Sequence, residues 1–352
     1  MITRIAINGF GRIGRNAFRI AFDRKDIQIV AINDLADTKT LAYLLKNDTA
    51  YGQYKHVVTA DDKNIIVNGI AIPVYAEKDP SQLPWLEKEI DVVIESTGRF
   101  TKSEDAKAHI TAGAKKVVIS APAKDEGAKT IVLGVNESAL HEAGDIISNA
   151  SCTTNSVAAV MDIMDRVFGV EKAMLTTVHS YTASQALQDA PAKDLREGRA
   201  AAENIVPTTT GAATAVALTV PSLKGKFDGL SVRVPTPVVS LSDVTMLLKR
   251  NTTIEEINGA LKKEANEPYY QGILGVSEEP LVSSDYIGNS TSGTVDLLLT
   301  NVVDGNLVKV VVWYDNEWGY SNRLVELVAD VGKSINKTTD DILDEAVKIN
   351  VD

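Results

Sequence analysis

The stretch AINGFGRIGRNAFRIAFDR, Ala6–Arg24, decides the fold because it joins two kinds of hydrophobic pattern. The run RIAING predicts a strand, and GRNAFRIAFDR has the spacing of an amphipathic helix. A second apolar run, IQIVAIND, follows closely and predicts another strand. Strand, helix and strand in this order form a βαβ unit with parallel strands and a right-handed crossover.

Three glycines lie in the turn between the first strand and the helix. Gly9, Gly11 and Gly14 have the spacing G-x-G-x-x-G, which is weak evidence alone but is typical of dinucleotide binding inside a βαβ unit. Gly9 permits a tight turn, Gly11 lets the backbone approach a pyrophosphate, and Gly14 allows close packing of helix and sheet. The helix start then offers free N–H groups and a favourable dipole to the anion.

The second predicted strand ends at Asp34, about 20 residues beyond the glycines. A carboxylate at this point can accept both ribose hydroxyls of adenosine and would repel a 2′-phosphate, so NAD is favoured over NADP. The alternative is that Asp34 merely caps the following helix.

Further apolar runs extend this pattern to about residue 150. They are DVVIEST, KKVVISA, TIVLGV and DIISNAS, with the helical stretch KSEDAKAHITAG between the first two. We therefore predict an α/β protein whose residues 1–150 form a Rossmann-type dinucleotide-binding domain with a doubly wound sheet.

A second domain is predicted over residues 151–316. The helix pattern SVAAVMDIMDRVFG opens it, and AMLTTVHSYT, LSVRVPTPVVSLSDVTMLLK, GTVDLLLTNVVDG and LVKVVVWYDNE look like strands, with TIEEINGALKKEAN as a helix. This is an α+β catalytic domain with a largely antiparallel sheet. The poorly periodic segment Ala183–Pro207 is too long for an ordinary connection, which indicates a functional or interfacial loop. Residues 317–335 predict a helix that packs back on the first domain. For 336–352 we expect an acidic tail that is disordered or caps an interface, with a short helix beginning near Thr339 as the alternative.

Composition excludes several classes of protein. The net charge of −11 argues against a broad surface for nucleic acid or membranes, because both partners are polyanionic. The start of the chain does not resemble a signal peptide, and no apolar run approaches the roughly 18 residues of a membrane span. The one cysteine cannot form an internal disulfide, so we expect a soluble, cytoplasmic protein.

That cysteine, Cys152, lies in ISNASCTTNSVAAVMDIM, where a strand gives way to a helix. A buried, inert thiol is the ordinary role of a lone cysteine. Here the neighbours are hydroxyls and amides, and a helix start would stabilise a thiolate, which predicts a lowered thiol pKa. The position at the domain junction also favours a chemical role.

Four histidines are candidate partners for the thiol: His56, His109, His141 and His179. His109 and His141 fall in predicted helices and could lie at the surface. His179 ends the apolar strand MLTTV and could project into a site, although a solvated or core histidine is commoner than a catalytic one.

A thiolate and a neutral histidine permit a definite reaction. The thiolate adds to an aldehyde, the helix start holds the oxyanion, and histidine takes the hydroxyl proton as hydride passes to nicotinamide. The resulting thioester reacts with a second nucleophile, giving an acyl phosphate with phosphate or an acid with water.

Six motifs together resemble the glyceraldehyde-3-phosphate dehydrogenase family, in order and spacing, up to about Ile335. They are AINGFGRIGR, SNASCTTN, TVHSYT, PTTTGAA, SVRVPTP and WYDNEWGYSNR. The resemblance implies a phosphorylating, NAD-dependent enzyme acting on glyceraldehyde 3-phosphate and inorganic phosphate, and a homotetramer with Ala183–Pro207 at an interface. It implies no metal and no nucleic-acid partner.

The resemblance also implies roles for individual residues. Cys152 would be the nucleophile and His179 its base. Thr182 and Arg233 would hold the C3 phosphate of the substrate, since the arginine fork engages two phosphate oxygens. The attacking phosphate would be held by Ser151, Thr153, Thr210 and Gly211. The cofactor would be bound by Gly9, Gly11, Arg12, Ile13, Asp34, Lys78, Thr97, Ser120 and Asn316.

The chain departs from the family pattern at several positions. Many bacterial relatives carry an aspartate where Ser184 stands and a second arginine where Glu197 stands, which affects the expected affinity for phosphate. Ser156 replaces a second cysteine and so removes a route to a disulfide. The pair Ala190–Pro191 is intermediate between the NAD and NADP patterns, whereas Asp34 favours NAD.

Two other functions are consistent with the sequence. One is erythrose 4-phosphate dehydrogenase, a sister activity that releases an acid. The other is a non-catalytic dinucleotide-binding protein, which the intact pair Cys152 and His179 argues against.

Overall fold

A computed structural model describes residues 2–335, and the tail predicted over 336–352 lies outside the described residues. The helices and strands of the first part are β1 (Thr3–Asn8), α1 (Arg12–Ala21), β2 (Ile27–Asn33), α2 (Thr38–Lys46), β3 (Asn47–Asp48), β4 (Gly52–Gln53), β5 (Val58–Ala60), β6 (Asn64–Val67), β7 (Ile70–Tyr75), β8 (Val92–Glu95), α3 (Ser103–Thr111), β9 (Lys116–Ile119), β10 (Lys129–Thr130) and β11 (Ile146–Ser148).

The second part begins with the long helix α4, directly after the last strand of the first sheet. Its helices and strands are α4 (Cys152–Phe168), β12 (Val170–Ser180), β13 (Val206–Thr209), α5 (Ala212–Thr219), β14 (Phe227–Val234), β15 (Ser240–Leu248), α6 (Ile254–Ala265), β16 (Leu274–Ser277), β17 (Gly293–Asp296), β18 (Asn301–Val303), β19 (Leu307–Tyr314) and α7 (Trp318–Ile335).

The first sheet has the order β10-β11-β9-β8-β1-β2-β7-β6-β5. Its strands from β10 to β7 are parallel, and β5, β6 and β7 form an antiparallel meander. The central strands are buried on both faces, as the continuous apolar runs predict for a parallel sheet. Phe18 of α1 and Leu324 of α7 pack on one face. The core on the other face includes Ala106 of α3 and Trp85, which precedes β8.

The second sheet has the order β13-β14-β12-β15-β19-β17-β16, with β18 beside β19. Two of its pairs, β12 with β14 and β16 with β17, are parallel, and the others are antiparallel. Helices α4, α5 and α6 contribute to the core on one face. The alternating burial along β15 shows that the other face is more open.

The structure differs from the sequence-based prediction in five places. The run TIVLGV forms a strand only at Lys129–Thr130, and the predicted strand GTVDLLLTNVVDG is two short strands. Asp296 ends the first of them by accepting a hydrogen bond from the Leu298 N–H at 3.2 Å, which is turn geometry. Helices α2 and α5 and the β5–β7 meander were not predicted.

None of the helices within residues 2–335 has the length and apolar character required to cross a bilayer. The two sheets are joined through the short segment 149–151, which connects β11 to α4. This segment places the start of α4 next to the ends of strands from both sheets.

Candidate active site

The glycine turn has the geometry that each position requires. Gly9 has φ +92°, and a Cβ there would lie 2.6 Å from the Thr97 nitrogen. A Cβ at Gly14 would lie 2.1 Å from the Gly9 carbonyl oxygen, so the helix packs directly on the turn. Nothing lies within 4 Å of a Cβ at Gly11, which leaves the backbone open to a ligand. These three positions fit a bound dinucleotide pyrophosphate.

A groove of about 330 Å³ runs along the carboxyl ends of the parallel strands beside this turn. It is lined by Gly9, Gly11, Asp34, Lys78 and Thr97, among the residues predicted to bind the cofactor. One oxygen of Asp34 accepts from the Phe10 N–H at 2.7 Å, and the other accepts from the Ala36 N–H at 3.0 Å. The carboxylate is therefore fixed at the groove and is not simply a helix cap.

Four predicted cofactor residues lie outside the lining of this groove, namely Arg12, Ile13, Ser120 and Asn316. Ile13 is half-buried in the first turn of α1 and packs against the core. Ser120 follows β9 and is half-buried. The Arg12 guanidinium pairs with Asp48 and with Glu317, so its side chain ties α1 to the start of α7. The backbone of Arg12 lies at the start of α1, where an N–H group can bind an anion.

Cys152 and His179 meet where the two parts of the chain join. Ser151 caps α4 by accepting from the Thr154 N–H at 3.0 Å, which fixes Cys152 as the first helical residue. The Cys152 Sγ lies 3.5 Å from the His179 Nε2 near the end of β12. The structure thus brings together the two residues predicted to form the catalytic pair.

The hydrogen bonds around His179 bear on which ring nitrogen can act as a base. The His179 Nδ1 lies 2.7 Å from the Ser180 carbonyl oxygen and 2.6 Å from an Arg233 nitrogen. The carbonyl requires a proton on Nδ1, whereas the guanidinium requires a lone pair there. Only the first arrangement leaves Nε2 unprotonated and able to take the thiol proton.

Burial keeps both members of the pair neutral. It raises the pKa of the Cys152 thiol, while Arg233 and hydrogen bonds from Thr153 act in the opposite direction. Burial and the positive charge of Arg233 lower the pKa of His179 to about 3. The lowered thiol pKa predicted from the helix start is therefore wrong, because loss of water around the sulfur outweighs the helix start. The thiol must lose its proton as it reacts, and the neutral imidazole beside it can receive that proton.

Asn316 lies between β19 and α7 with its side chain held in one orientation. Its Oδ1 accepts hydrogen bonds from the Ser180 hydroxyl at 2.9 Å and the Ser240 hydroxyl at 3.1 Å. The Nδ2 group is therefore the part of the side chain that can serve a ligand. A carboxamide oxygen is a suitable acceptor for it.

The predicted phosphate-binding residues surround this pair but differ in how free they are. Arg233 is opposite His179 in the parallel register of β14 and β12, and its Nε is buried with no hydrogen-bond partner. Thr210 and Gly211 precede helix α5, whose first N–H groups can bind an anion. Thr182 is held by Gln185, which accepts from the Thr182 N–H at 2.8 Å.

The hydroxyls at the start of α4 are mostly engaged. The Thr153 hydroxyl is buried and lies 2.9 Å from the Tyr314 hydroxyl, which is also 2.8 Å from Thr177. Ser151 is occupied with its cap. Phosphate binding by these two residues would therefore rely on backbone N–H groups, unless a hydroxyl changes partner.

Sequence reasoning missed several supporting residues. Tyr314 packs its ring edge against His179, with ring centroids 6.0 Å apart. Gln185 positions Thr182, and Ser240 orients Asn316. Tyr314 lies in the motif WYDNE. Its aromatic hydroxyl at the end of a predicted strand was the one feature of the sequence that could have indicated a supporting role in the site. The expectation that His109 could be a surface residue is wrong, since it is fully buried.

Comparisons with known proteins agree with this geometry. Residues 3–103 match the model of the glyceraldehyde 3-phosphate dehydrogenase NAD binding domain. Residues 151–316 match the model of the glyceraldehyde 3-phosphate dehydrogenase C-terminal domain.

Curated relatives extend the similarity over nearly the whole chain. A glyceraldehyde-3-phosphate dehydrogenase of Geobacillus stearothermophilus is 56% identical over 330 residues, which is 94% of this chain and 98% of the relative. Glyceraldehyde-3-phosphate dehydrogenase 1 of Bacillus cereus is 55% identical over 93% of this chain and 98% of its own length. Glyceraldehyde-3-phosphate dehydrogenase 2 of Streptomyces avermitilis is 54% identical over 95% of this chain and 100% of its own length. The chain belongs to the glyceraldehyde-3-phosphate dehydrogenase family.

Proposed function

We propose that this chain oxidises D-glyceraldehyde 3-phosphate to 1,3-bisphosphoglycerate with NAD and inorganic phosphate, as an enzyme of glycolysis and gluconeogenesis. The observation that carries the proposal is the distance of 3.5 Å between the Cys152 Sγ and the His179 Nε2 at the start of α4. A purely binding protein has no need of such a pair. The relatives of this chain carry the name of this dehydrogenase.

The chain supplies the groups for covalent catalysis. Cys152 Sγ bonds to the aldehyde carbon, and His179 Nε2 receives the thiol proton. The resulting oxyanion would lie beside the N–H groups of Cys152 and Thr153 at the start of α4, which can donate to it, whereas the Thr154 N–H is engaged by Ser151. The oxyanion takes this proton back from His179 and becomes the hemithioacetal hydroxyl. Loss of the hydroxyl proton to the neutral His179 then accompanies hydride departure and leaves a thioester on Cys152. Bound NAD supplies the hydride acceptor. Attack of phosphate oxygen then breaks the C–S bond and releases the acyl phosphate.

We also propose the individual binding roles. Thr182 and Arg233 would hold the C3 phosphate, and this is supported by the unpaired Arg233 Nε beside His179. The attacking phosphate would be bound at Ser151, Thr153, Thr210 and Gly211, near the starts of α4 and α5. The cofactor would be bound by Gly9, Gly11, Arg12, Ile13, Asp34, Lys78, Thr97, Ser120 and Asn316.

The proposed division of the chain places the NAD-binding domain at 1–150, the catalytic domain at 151–316 and the returning helix at 317–335. Packing of Leu324 on the first core supports the assignment of that helix to the first domain. A cytoplasmic location is proposed because the single cysteine needs no oxidising compartment.

A homotetramer is proposed from exposed apolar side chains. Leu187, Leu195 and Ile205 in the segment Ala183–Pro207 are 84%, 84% and 72% exposed, and Met174 on the open face of the second sheet is 60% exposed. Surfaces of this kind mark protein interfaces. Light scattering should give the mass of four chains, and the mass of one chain would contradict the proposal.

The proposed reaction predicts a strict need for phosphate. NADH should form rapidly from glyceraldehyde 3-phosphate with phosphate present and slow sharply without it, because water attacks the thioester poorly. A C152S variant, measured in the same assay, should lose the activity while still binding NAD. Steady turnover without phosphate, or faster turnover on erythrose 4-phosphate, would show that the acid-releasing sister activity is the correct one.

Glu197 predicts a modest effect on phosphate affinity. Its carboxylate accepts from Thr208 at 3.0 Å and lies 3.4 Å from the Gln185 amide, which in turn holds Thr182. The substitution E197Q removes the negative charge of this half-buried carboxylate. It should lower the KM for phosphate roughly fivefold, which corresponds to about 1 kcal/mol of binding free energy.

The matched control for this change is E203Q on the same segment, where Glu203 is exposed. It should leave the phosphate KM unchanged. An unchanged KM in E197Q, or an equal fall in both variants, would show that Glu197 does not act on the phosphate sites.

A further inference from the structure

A buried cluster of polar side chains lies beneath the cofactor groove and has no part in the steps above. Glu95 ends β8, His109 lies in α3, and Trp85 precedes β8. Their side chains are 1%, 0% and 0% exposed. A carboxylate and an imidazole are seldom buried so completely in a protein interior unless they are paired.

The hydrogen bonds of the cluster have a definite direction. The Trp85 indole N–H donates to the His109 Nδ1 at 3.0 Å. A nitrogen that accepts carries no proton, so the ring proton of neutral His109 is on Nε2. This Nε2 lies 3.0 Å from the Glu95 Oε2 and donates to it.

Three further donors complete the surroundings of the Glu95 carboxylate. The Asn8 amide donates to its Oε2 at 2.5 Å, and the Thr97 N–H donates to its Oε1 at 2.8 Å. The Thr97 hydroxyl donates to the same Oε1. The ionised carboxylate accepts about four hydrogen bonds, so it matches this set of donors without a positively charged partner.

The same hydrogen bonds reach the walls of the groove. The Asn8 Oδ1 accepts from the Asn33 amide at 2.7 Å, and the Asn33 side chain makes two hydrogen bonds of 2.9 Å with the backbone of Glu77. The Thr97 Oγ1 accepts from the Arg99 N–H at 3.1 Å. Asn8, Asn33, Glu77, Thr97 and Arg99 all line the groove. One buried carboxylate therefore ties together the ends of β1, β2 and β8 and two loops of the groove.

We propose that Glu95 is a positioning residue for the adenosine half of NAD. It acts through Asn8 and Thr97, which it holds at the spacing of the groove, and it does not touch the cofactor itself. The inference rests on the proposed NAD-dependent function. We expect Glu95 to affect cofactor affinity and not the chemical steps. The reason is that, within residues 2–335, Cys152 and His179 make no hydrogen bond to this cluster.

The variant E95Q tests this with little change of shape. The glutamine amide replaces one acceptor oxygen by an NH₂ group, so either the Thr97 donors or the Asn8 and His109 donors would face another donor. The walls of the groove must then shift. The expected result is that the Kd values for NAD and for ADP-ribose, which is NAD without its nicotinamide base, rise by the same factor, roughly tenfold.

Two readouts separate positioning from a general loss of structure. At saturating NAD the kcat of E95Q should stay within about twofold of wild type, and iodoacetamide should alkylate Cys152 at the wild-type rate, so that the loss appears in the KM for NAD. The matched control is D91N. Asp91 is a buried carboxylate that precedes the same strand at its opposite end and accepts from the Arg4 N–H and from Lys115, each at 2.8 Å. D91N should leave both Kd values unchanged.

Each outcome decides one question. Failure of the wild-type protein to bind NAD would overturn the proposed function. If wild type binds NAD and E95Q binds NAD and ADP-ribose equally well, or if D91N weakens both to the same extent, the role of Glu95 is overturned. Should E95Q not fold, W85F removes the donor that fixes the His109 tautomer and replaces the buried indole by a smaller ring. A smaller rise in both Kd values, about two- to fivefold, is then expected, and unchanged values would contradict the inference.

Discussion

The activity of this protein depends on one geometric constraint, the placement of the Cys152 sulfur at the start of α4 against His179. The turn before the helix is strained, with φ +55° at Ala150. The Tyr320 hydroxyl donates to the Ala150 carbonyl at 3.0 Å, and the Asn155 amide donates to the Asn149 carbonyl at 2.8 Å. These bonds come from α7 and from within α4, so the nucleophile is held by parts of the chain far apart in sequence.

The same constraint depends on both parts of the chain. The groove proposed to bind the dinucleotide lies at the ends of the first sheet, whereas His179 and Arg233 belong to strands of the second. Helix α7 returns from the second sheet to the first, and Asn316 at its approach is held by serines of β12 and β15. The ion pairs of Arg12 with Asp48 and Glu317 hold the start of α7 against the start of α1. Cofactor and nucleophile are thereby brought to one place.

The sequence predicted those features that depend on local pattern. Gly9, Gly11 and Gly14 have a fixed spacing, and the structure gives each its expected geometry. The position of Asp34 was predicted from the same βαβ unit, because it comes directly after the second strand. The pairing of Cys152 with His179 rested on family motifs, because two residues separated by a whole helix meet only through the packing of α4 on β12. Long-range contacts of this kind leave no periodic signal in one sequence.

Other errors came from burial, which a single sequence does not display. His109 falls in a helix with little amphipathic character, yet it is fully buried because Trp85 and Glu95 bond to both ring nitrogens. The contact of the Thr153 hydroxyl with the Tyr314 hydroxyl at 2.9 Å is likewise invisible in the sequence. The thiol pKa was expected to fall at a helix start, and desolvation reverses the direction. Each case depends on what a distant segment places beside the residue.

The most direct test of the central claim is a single-turnover experiment without phosphate. Enzyme is mixed rapidly with NAD and glyceraldehyde 3-phosphate, NADH is followed by absorbance, and the quenched protein is analysed by mass spectrometry. The account predicts a burst of one NADH per Cys152 that then stops, with the acyl group found on that residue. The absence of a burst, or an acyl group elsewhere, would contradict the account.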